Sequence, residues 1–269
     1  MTQTQIISAN GINIRYADEG IKNGPVVMMS HSLSAELGMW EPQVAALKNQ
    51  FRIIRFDTRG HGGSSVPQGP YTLEMLADDA VGLMDALELD KVHWVGLSMG
   101  GMIGQTVALK APSRLKSLTL ADTSSGYPPE AVAGWEERIK AARQNGMGAS
   151  LSATIDRWFS PGFVKAEPNI IASISQMIVS TPIEGYCGCG AAISRLNITP
   201  RLGEISAPTL VIVGEDDPGT PVDMSEIMAK GIPGAKLVIL PVARHLSNLE
   251  DQAGFNQALK DFLAGVDNT

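Results

Sequence analysis

The pentapeptide Gly96-Leu97-Ser98-Met99-Gly100 has the form G-x-S-x-G and stands between an apolar run, residues 92–97, and a helical pattern, residues 99–110. A serine on a sharp strand-to-helix turn needs neighbours without bulk, which Gly96 and Gly100 supply. Such a turn lifts the hydroxyl clear of a sheet and sets it at a helix N-terminus. There the Met99 amide can face a developing oxyanion. The chemistry implied is attack by Ser98 on a carbonyl. The same five residues could be a plain glycine-rich turn, but the flanking strand and helix signals favour the nucleophile.

A serine hydroxyl needs a base. The chain has His31, His61, His93 and His245. His93 lies inside the run leading to Ser98 and reads as packing. The other three stand in loops after apolar runs, where parallel sheets gather reactive groups. Hydrolases built on this motif run serine, acid, histidine in chain order, and only His245 follows Ser98 in a loop. The acid between them would hold the imidazole tautomer and stabilise the imidazolium. Asp217, in Gly214-Glu215-Asp216-Asp217, is preferred, with Asp216 and Asp122 as alternatives. A solvated turn or a helix cap is the plainer role for each of these carboxylates. The second oxyanion donor belongs to the loop after the third strand, where His31-Ser32-Leu33 stands, and this selects the Leu33 amide.

These residues need a frame. An alternating stretch over residues 5–16, centred on Asn10-Gly11, reads as a hairpin. Short apolar runs follow at residues 26–30, 51–56, 92–97, 115–121, 209–213 and 236–240. Runs this apolar suit strands buried on both faces of a parallel sheet. Residues 73–87 carry Leu73, Leu76, Ala77, Ala80, Leu83, Met84 and Leu87 on one helical stripe, and residues 248–263 do likewise with Leu249, Phe255, Leu259 and Phe262. The alternation predicts an α/β fold, a mostly parallel central sheet flanked by helices. It stops between residues 124 and 204, which read as helices over 130–145, 148–159, 169–180 and 186–196. Pro128-Pro129, Pro161-Gly162 and Pro182 punctuate them. The expected organisation is a core of residues 1–123 and 205–269, with residues 124–204 as a helical cap inserted between strands.

The 269 residues are 44% hydrophobic and 18% charged, which excludes a disordered chain, a collagen-like repeat and a coiled coil. The net charge of −7 argues against a nucleic-acid partner, because phosphate recognition needs a basic face. Residues 124–204 hold as many basic as acidic side chains, so the negative charge belongs to the core. No apolar run is long enough to span a membrane. Residues 1–11 lack the basic start and apolar stretch of a secretory leader. Cys187 and Cys189 alone make neither a disulfide framework nor a zinc site. The expectation is a soluble cytoplasmic enzyme that acts on a small molecule and needs no metal or organic cofactor.

The whole set of motifs resembles the α/β-hydrolase family: the HSL loop and Trp40, FDTRGHG (56–62), GLSMGG (96–101), GEDDPGTP (214–221) and HLSNLE (245–250). Within that family the chain is most similar to the 3-oxoadipate enol-lactonases. HSLSAELGMW (31–40), RFDTRGHGGSSVPQGPYTLEMLADD (55–79) and GLSMGGMIGQ (96–105) carry the likeness, as do cap segments around Trp135, Arg157-Trp158-Phe159 and Tyr186-Cys187. The resemblance implies a five-membered enol-lactone with a free carboxylate, opened by water. Such a substrate calls for local positive charge. Trp135 and Arg138, three apart in a helical pattern, can face a cleft together, an arginine fork suiting a carboxylate and an indole face a flat ring. Arg157 beside Trp158 is the rival anchor. Relatives with dehalogenase or epoxide hydrolase chemistry carry aspartate where this chain has Ser98. Two other readings stand beside the lactonase: a broad carboxylesterase or perhydrolase-like enzyme, and a non-catalytic ligand-binding protein on the same scaffold.

Overall fold

The computed structural model describes residues 3–128 and 130–267. Pro129, one of the prolines read as punctuation, lies outside them. The chain opens with a hairpin of β1 (Thr4–Ala9) and β2 (Ile12–Gly20). Asn10 and Gly11 turn it with φ of 47° and 77°, the positive pair that a two-residue turn of this hand requires. There follow β3 (Val26–Ser30), α1 (Glu41–Leu47), β4 (Arg52–Phe56), α2 (Leu73–Ala86), β5 (Val92–Leu97), α3 (Met99–Lys110) and β6 (Leu115–Ala121). Five helices come next: α4 (Glu130–Asn145), α5 (Leu151–Trp158), α6 (Pro161–Ala166), α7 (Pro168–Ser180) and α8 (Ile183–Ile193). The chain then returns to the sheet through β7 (Thr209–Gly214), α9 (Val222–Gly231), β8 (Lys236–Leu240), α10 (Ser247–Glu250) and α11 (Gln252–Asp267).

The strands form one sheet in the order β1-β2-β4-β3-β5-β6-β7-β8, antiparallel at β1/β2 and β2/β4 and parallel elsewhere. Every residue of β5 is buried, as a strand covered on both faces must be. Its alternate side chains feed two apolar layers. Trp94 packs with Ile54, Leu76, Leu83 and Val107 under α2 and α3. Val95 packs with Ile53, Trp40, Leu47, Phe255 and Leu259 under α1 and α11. The expected α/β arrangement, a mostly parallel sheet flanked by helices, is present, with helices α4 to α8 inserted between β6 and β7.

Two local expectations change. The stripe over residues 248–263 is buried as read, but it is carried by two helices. The chain breaks at Asp251 (φ −118°, ψ 68°), whose carboxylate accepts the Gly254 amide at 3.0 Å and so starts α11. Pro161-Gly162, read as punctuation between two helices, opens a further helix. Ser160 caps α6 by accepting the Phe163 amide at 3.3 Å, and Pro161 takes the first turn, where its missing N–H costs nothing.

Candidate active site

β5 delivers Ser98 to a turn that few residues could make. Ser98 has φ 54° and ψ −115°, outside the regions that L-residues prefer. A Cβ at position 96 would stand 2.1 Å from the Gly100 carbonyl oxygen, and one at position 100 would stand 2.1 Å from the Ser30 oxygen. Glycine at both positions is therefore a steric requirement. The turn is also tied to the end of β6. The Ser98 amide donates to the Ala121 carbonyl at 2.8 Å, and the Thr123 hydroxyl donates to the Ser98 carbonyl at 2.7 Å.

The loop after β8 brings His245 to this hydroxyl, with Nε2 3.0 Å from Ser98 Oγ. On its other side His245 Nδ1 lies 2.8 Å from Asp217 Oδ2. Asp217, in the loop after β7, also accepts the Thr220 hydroxyl at 2.6 Å and the Gly219 amide at 2.7 Å. All three side chains are buried. Burial, the largest influence, would lower the His245 pKa, but the charge and hydrogen bond of Asp217 and then Asp122 together outweigh it, and the net shift is upward. Burial pushes the Asp217 carboxyl the other way, and His245, Thr220 and Gly219 together hold it below its ordinary value. Asp216, an alternative acid, is exposed. Asp122, the other alternative, is buried and bonds to Gly214 and Ser247. Neither Thr220 nor Ser247 was singled out by the sequence. The only hint was their closeness to Asp217 and His245.

The remaining histidines are used otherwise. His93 is buried in β5 and hydrogen-bonds Ser117 Oγ at 2.8 Å. His31 accepts the Thr58 amide on Nε2 at 2.9 Å and donates from Nδ1 to the Ser32 carbonyl at 2.7 Å. His61 accepts the Ser34 amide on Nε2 at 3.1 Å. Their rings are 5.2 Å apart. Burial pushes His31 down to about 4; burial and the neighbouring His31 push His61 down to about 3. Both rings are therefore neutral acceptors at physiological pH, and they pin the backbone on either side of Leu33. The amides of Leu33 and Met99 make no hydrogen bond to the described residues, which leaves two donors beside Ser98.

A cavity of about 440 Å³ opens above Ser98 and His245, lined by Ser32 to Ser34 from the core and by Tyr127, Trp135, Arg138, Arg157, Trp158 and Tyr186 from the inserted segment. The two arginines differ. Arg138 is exposed, and its guanidinium sits 4.8 Å from the Trp135 ring. Arg157 is half-buried and donates to Thr154 Oγ1 at 3.3 Å. Burial, then the nearby Arg138 charge, holds it below the ordinary arginine value. Neither has a carboxylate within ion-pair distance among the described residues. Tyr127 is raised to about 12 by burial. Among the described residues no group of three His, Cys, Asp or Glu could hold a metal ion, and no helix is long and apolar enough to cross a membrane.

Residues 25–252 match the family described as alpha/beta hydrolase fold. The chain is 35% identical to 3-oxoadipate enol-lactonase 2 of Acinetobacter baylyi over 94% of each chain. A crystal structure of the enol-lactonase from Burkholderia xenovorans LB400 superposes with a TM-score of 0.93 at 38% identity, covering 97% of this chain and 100% of that one. A malate-bound thermophilic esterase from Thermogutta terrifontis superposes with a TM-score of 0.92 at 33% identity, over 98% and 99% of the two chains. Sheet order, the strained turn at Ser98 and similarity over nearly the whole length agree: the chain belongs to the alpha/beta hydrolase fold family.

Proposed function

We propose that this protein is a serine hydrolase that opens a small, carboxylate-bearing enol-lactone, 3-oxoadipate enol-lactone to 3-oxoadipate, through an acyl-enzyme. The observation that carries the reading is the continuous relay Ser98 Oγ to His245 to Asp217, at 3.0 and 2.8 Å, on the floor of a cavity holding two arginines without carboxylate partners. The two enol-lactonase relatives support the substrate class. Residues 1–123 and 205–269 serve as the catalytic core, and residues 124–204 as the cap that selects the substrate.

Ser98 Oγ attacks the lactone carbonyl while His245 Nε2 takes its proton, and Asp217 stabilises the imidazolium. The Leu33 and Met99 amides receive the oxyanion, each worth about 3–4 kcal/mol in reactions of this kind. The ring C–O bond then breaks. The enol oxygen takes the proton from His245, and the enol tautomerises to the ketone. Water, deprotonated by His245, attacks the ester on Ser98. The product is released as a free acid, and Ser98 regains its proton. Neither step requires a redox partner.

Of the two arginines, Arg157 is the better carboxylate anchor. A half-buried guanidinium lacking an anion gains more from a ligand carboxylate than an exposed one already lying on an indole face. Replacing Arg157 with Met is expected to raise KM for the enol-lactone about tenfold or more, the loss of one charge-assisted pair, and to leave KM for p-nitrophenyl acetate within about twofold. An Arg157→Met enzyme with equal losses on both substrates would point instead to the broad esterase reading, which the 33%-identical esterase supports.

A further inference from the structure

The Asp122 side chain bonds the loop that carries Asp217 and the loop that carries His245, and among the described residues it makes no hydrogen bond to a relay side chain. It follows β6 and is fully buried, in the left-handed region at φ 43°. Its neighbours Ala121 and Thr123 bind the Ser98 backbone from either side, as described above. Its own amide donates to the Ile212 carbonyl of β7 at 2.9 Å. Its carboxyl then spans the two remaining loops. Oδ1 accepts the Gly214 amide at 2.8 Å, three residues before Asp217. Oδ2 meets the Ser247 hydroxyl at 2.5 Å, two residues after His245. Those loops lie so close that a Cβ at Gly214 would stand 2.4 Å from the Ala243 carbonyl oxygen. The Asp216 amide bonds that same carbonyl at 3.0 Å.

We propose that Asp122 is a positioning residue for the base, a neutral carboxyl that locks the Asp217 loop to the His245 loop through Gly214 N–H and Ser247 Oγ. The inference rests on the serine-hydrolase reading above. The case for a neutral group is one of missing partners. No Lys or Arg stands within ion-pair distance of Asp122 among the described residues. A fully buried carboxylate without a cation is costly. The groups facing His245 are Asp217 from the loop after β7, Asp122 from the loop after β6 and Arg157 from α5. With Asp217 already paired to the imidazole, a second anion beside it would be repelled. Burial first, and then Asp217, raise the Asp122 carboxyl to about 8. The Ser247 hydroxyl donates to Oδ2 and the Gly214 amide to Oδ1; with a proton on the carboxyl the hydroxyl can turn and accept it while Oδ1 still accepts from Gly214. Asparagine in the same pose would accept and donate at the same two points.

The test compares wild type with Asp122→Ala, Asp122→Asn and Ser247→Ala. It measures the rate at which a fluorophosphonate labels Ser98, together with kcat, KM and the pH profile for p-nitrophenyl acetate. None of these readouts depends on the lactone. Ser247→Ala removes one end of the tie without altering a buried carboxyl, so it carries the test if Asp122→Ala does not fold. A relay loosened by a fraction of an ångström is expected to slow labelling and kcat about 10- to 100-fold at unchanged KM in Ser247→Ala and Asp122→Ala. Asp122→Asn is expected to regain most of that loss, with its acidic limb where wild type has it. Wild-type labelling rates in both Ser247→Ala and Asp122→Ala would overturn the tie. An acidic limb in Asp122→Asn displaced downward by about one unit would overturn the neutral carboxyl, because it would mean a negative charge beside His245 had been removed. A wild-type protein that the phosphonate does not label would overturn the serine nucleophile and the tie with it.

Discussion

At the scale of single residues, the proposed chemistry depends on which carboxylate faces His245. Asp217 lies 2.8 Å from Nδ1, whereas Asp216, one residue away, is exposed. Asp217→Asn is therefore expected to cut kcat about a thousandfold or more by disturbing the tautomer, while Asp216→Asn stays within about twofold. The pH profile follows from the same pair. His245 works as a base only when unprotonated, and its pKa is raised above the ordinary value of about 6.5. Activity should thus fall as pH drops through a midpoint above that value in steady-state kinetics, and the midpoint should drop in Asp217→Asn. The meeting of Ser98, His245 and Asp217 was legible in the sequence because a motif and a chain order constrain those three residues. Asp122 as a tie was not legible. Its partners are Gly214 and Ser247, and no spacing in the chain announces a contact between residues 122, 214 and 247.

At the scale of elements, the loop after β3 is shaped by two imidazoles that the sequence offered as candidate bases. His31 and His61 accept backbone amides from Thr58 and Ser34, so each must be neutral. Their folded pKa values, about 4 and about 3, lie below the unfolded value. The sign follows from proton uptake. The unfolded chain binds more protons as pH falls below about 6.5, so the stability these residues contribute is present above that pH and is lost toward pH 4 and below. His61→Gln keeps an acceptor for Ser34 but cannot titrate. Urea midpoints measured between neutral and mildly acidic pH should therefore fall less steeply in this variant than in wild type. The strands were readable because runs such as residues 92–97 are apolar on both faces. The broken helix at Asp251 and the α6 start at Pro161 were hidden in the side-chain caps that Asp251 and Ser160 offer to the Gly254 and Phe163 amides.

At the scale of the whole molecule, the inserted helices meet the core at a backbone-to-backbone contact. A Cβ at Gly185 of α8 would stand 1.9 Å from the Gly60 carbonyl oxygen. Gly185→Ala must part the two segments and is expected to cost about 1–3 kcal/mol in urea unfolding, as overpacking does elsewhere. Arg157 faces the cavity with α5 packing Ile155 and Trp158 into the apolar layer that also holds Ile174 and Ile178 of α7, a tertiary arrangement hidden from a sequence reading that preferred Arg138 and kept Arg157 as the rival. The central claim concerns the covalent path through Ser98, and intact mass reads it on the entire chain. Opening a lactone leaves both halves of the substrate attached, so the acyl-enzyme should weigh more than the free protein by the mass of the whole lactone. Rapid acid quench of wild type mixed with the enol-lactone should reveal that adduct on Ser98, and Ser98→Ala should form none and lose turnover. A Ser98→Ala protein that still opens the lactone at the wild-type rate would contradict the account.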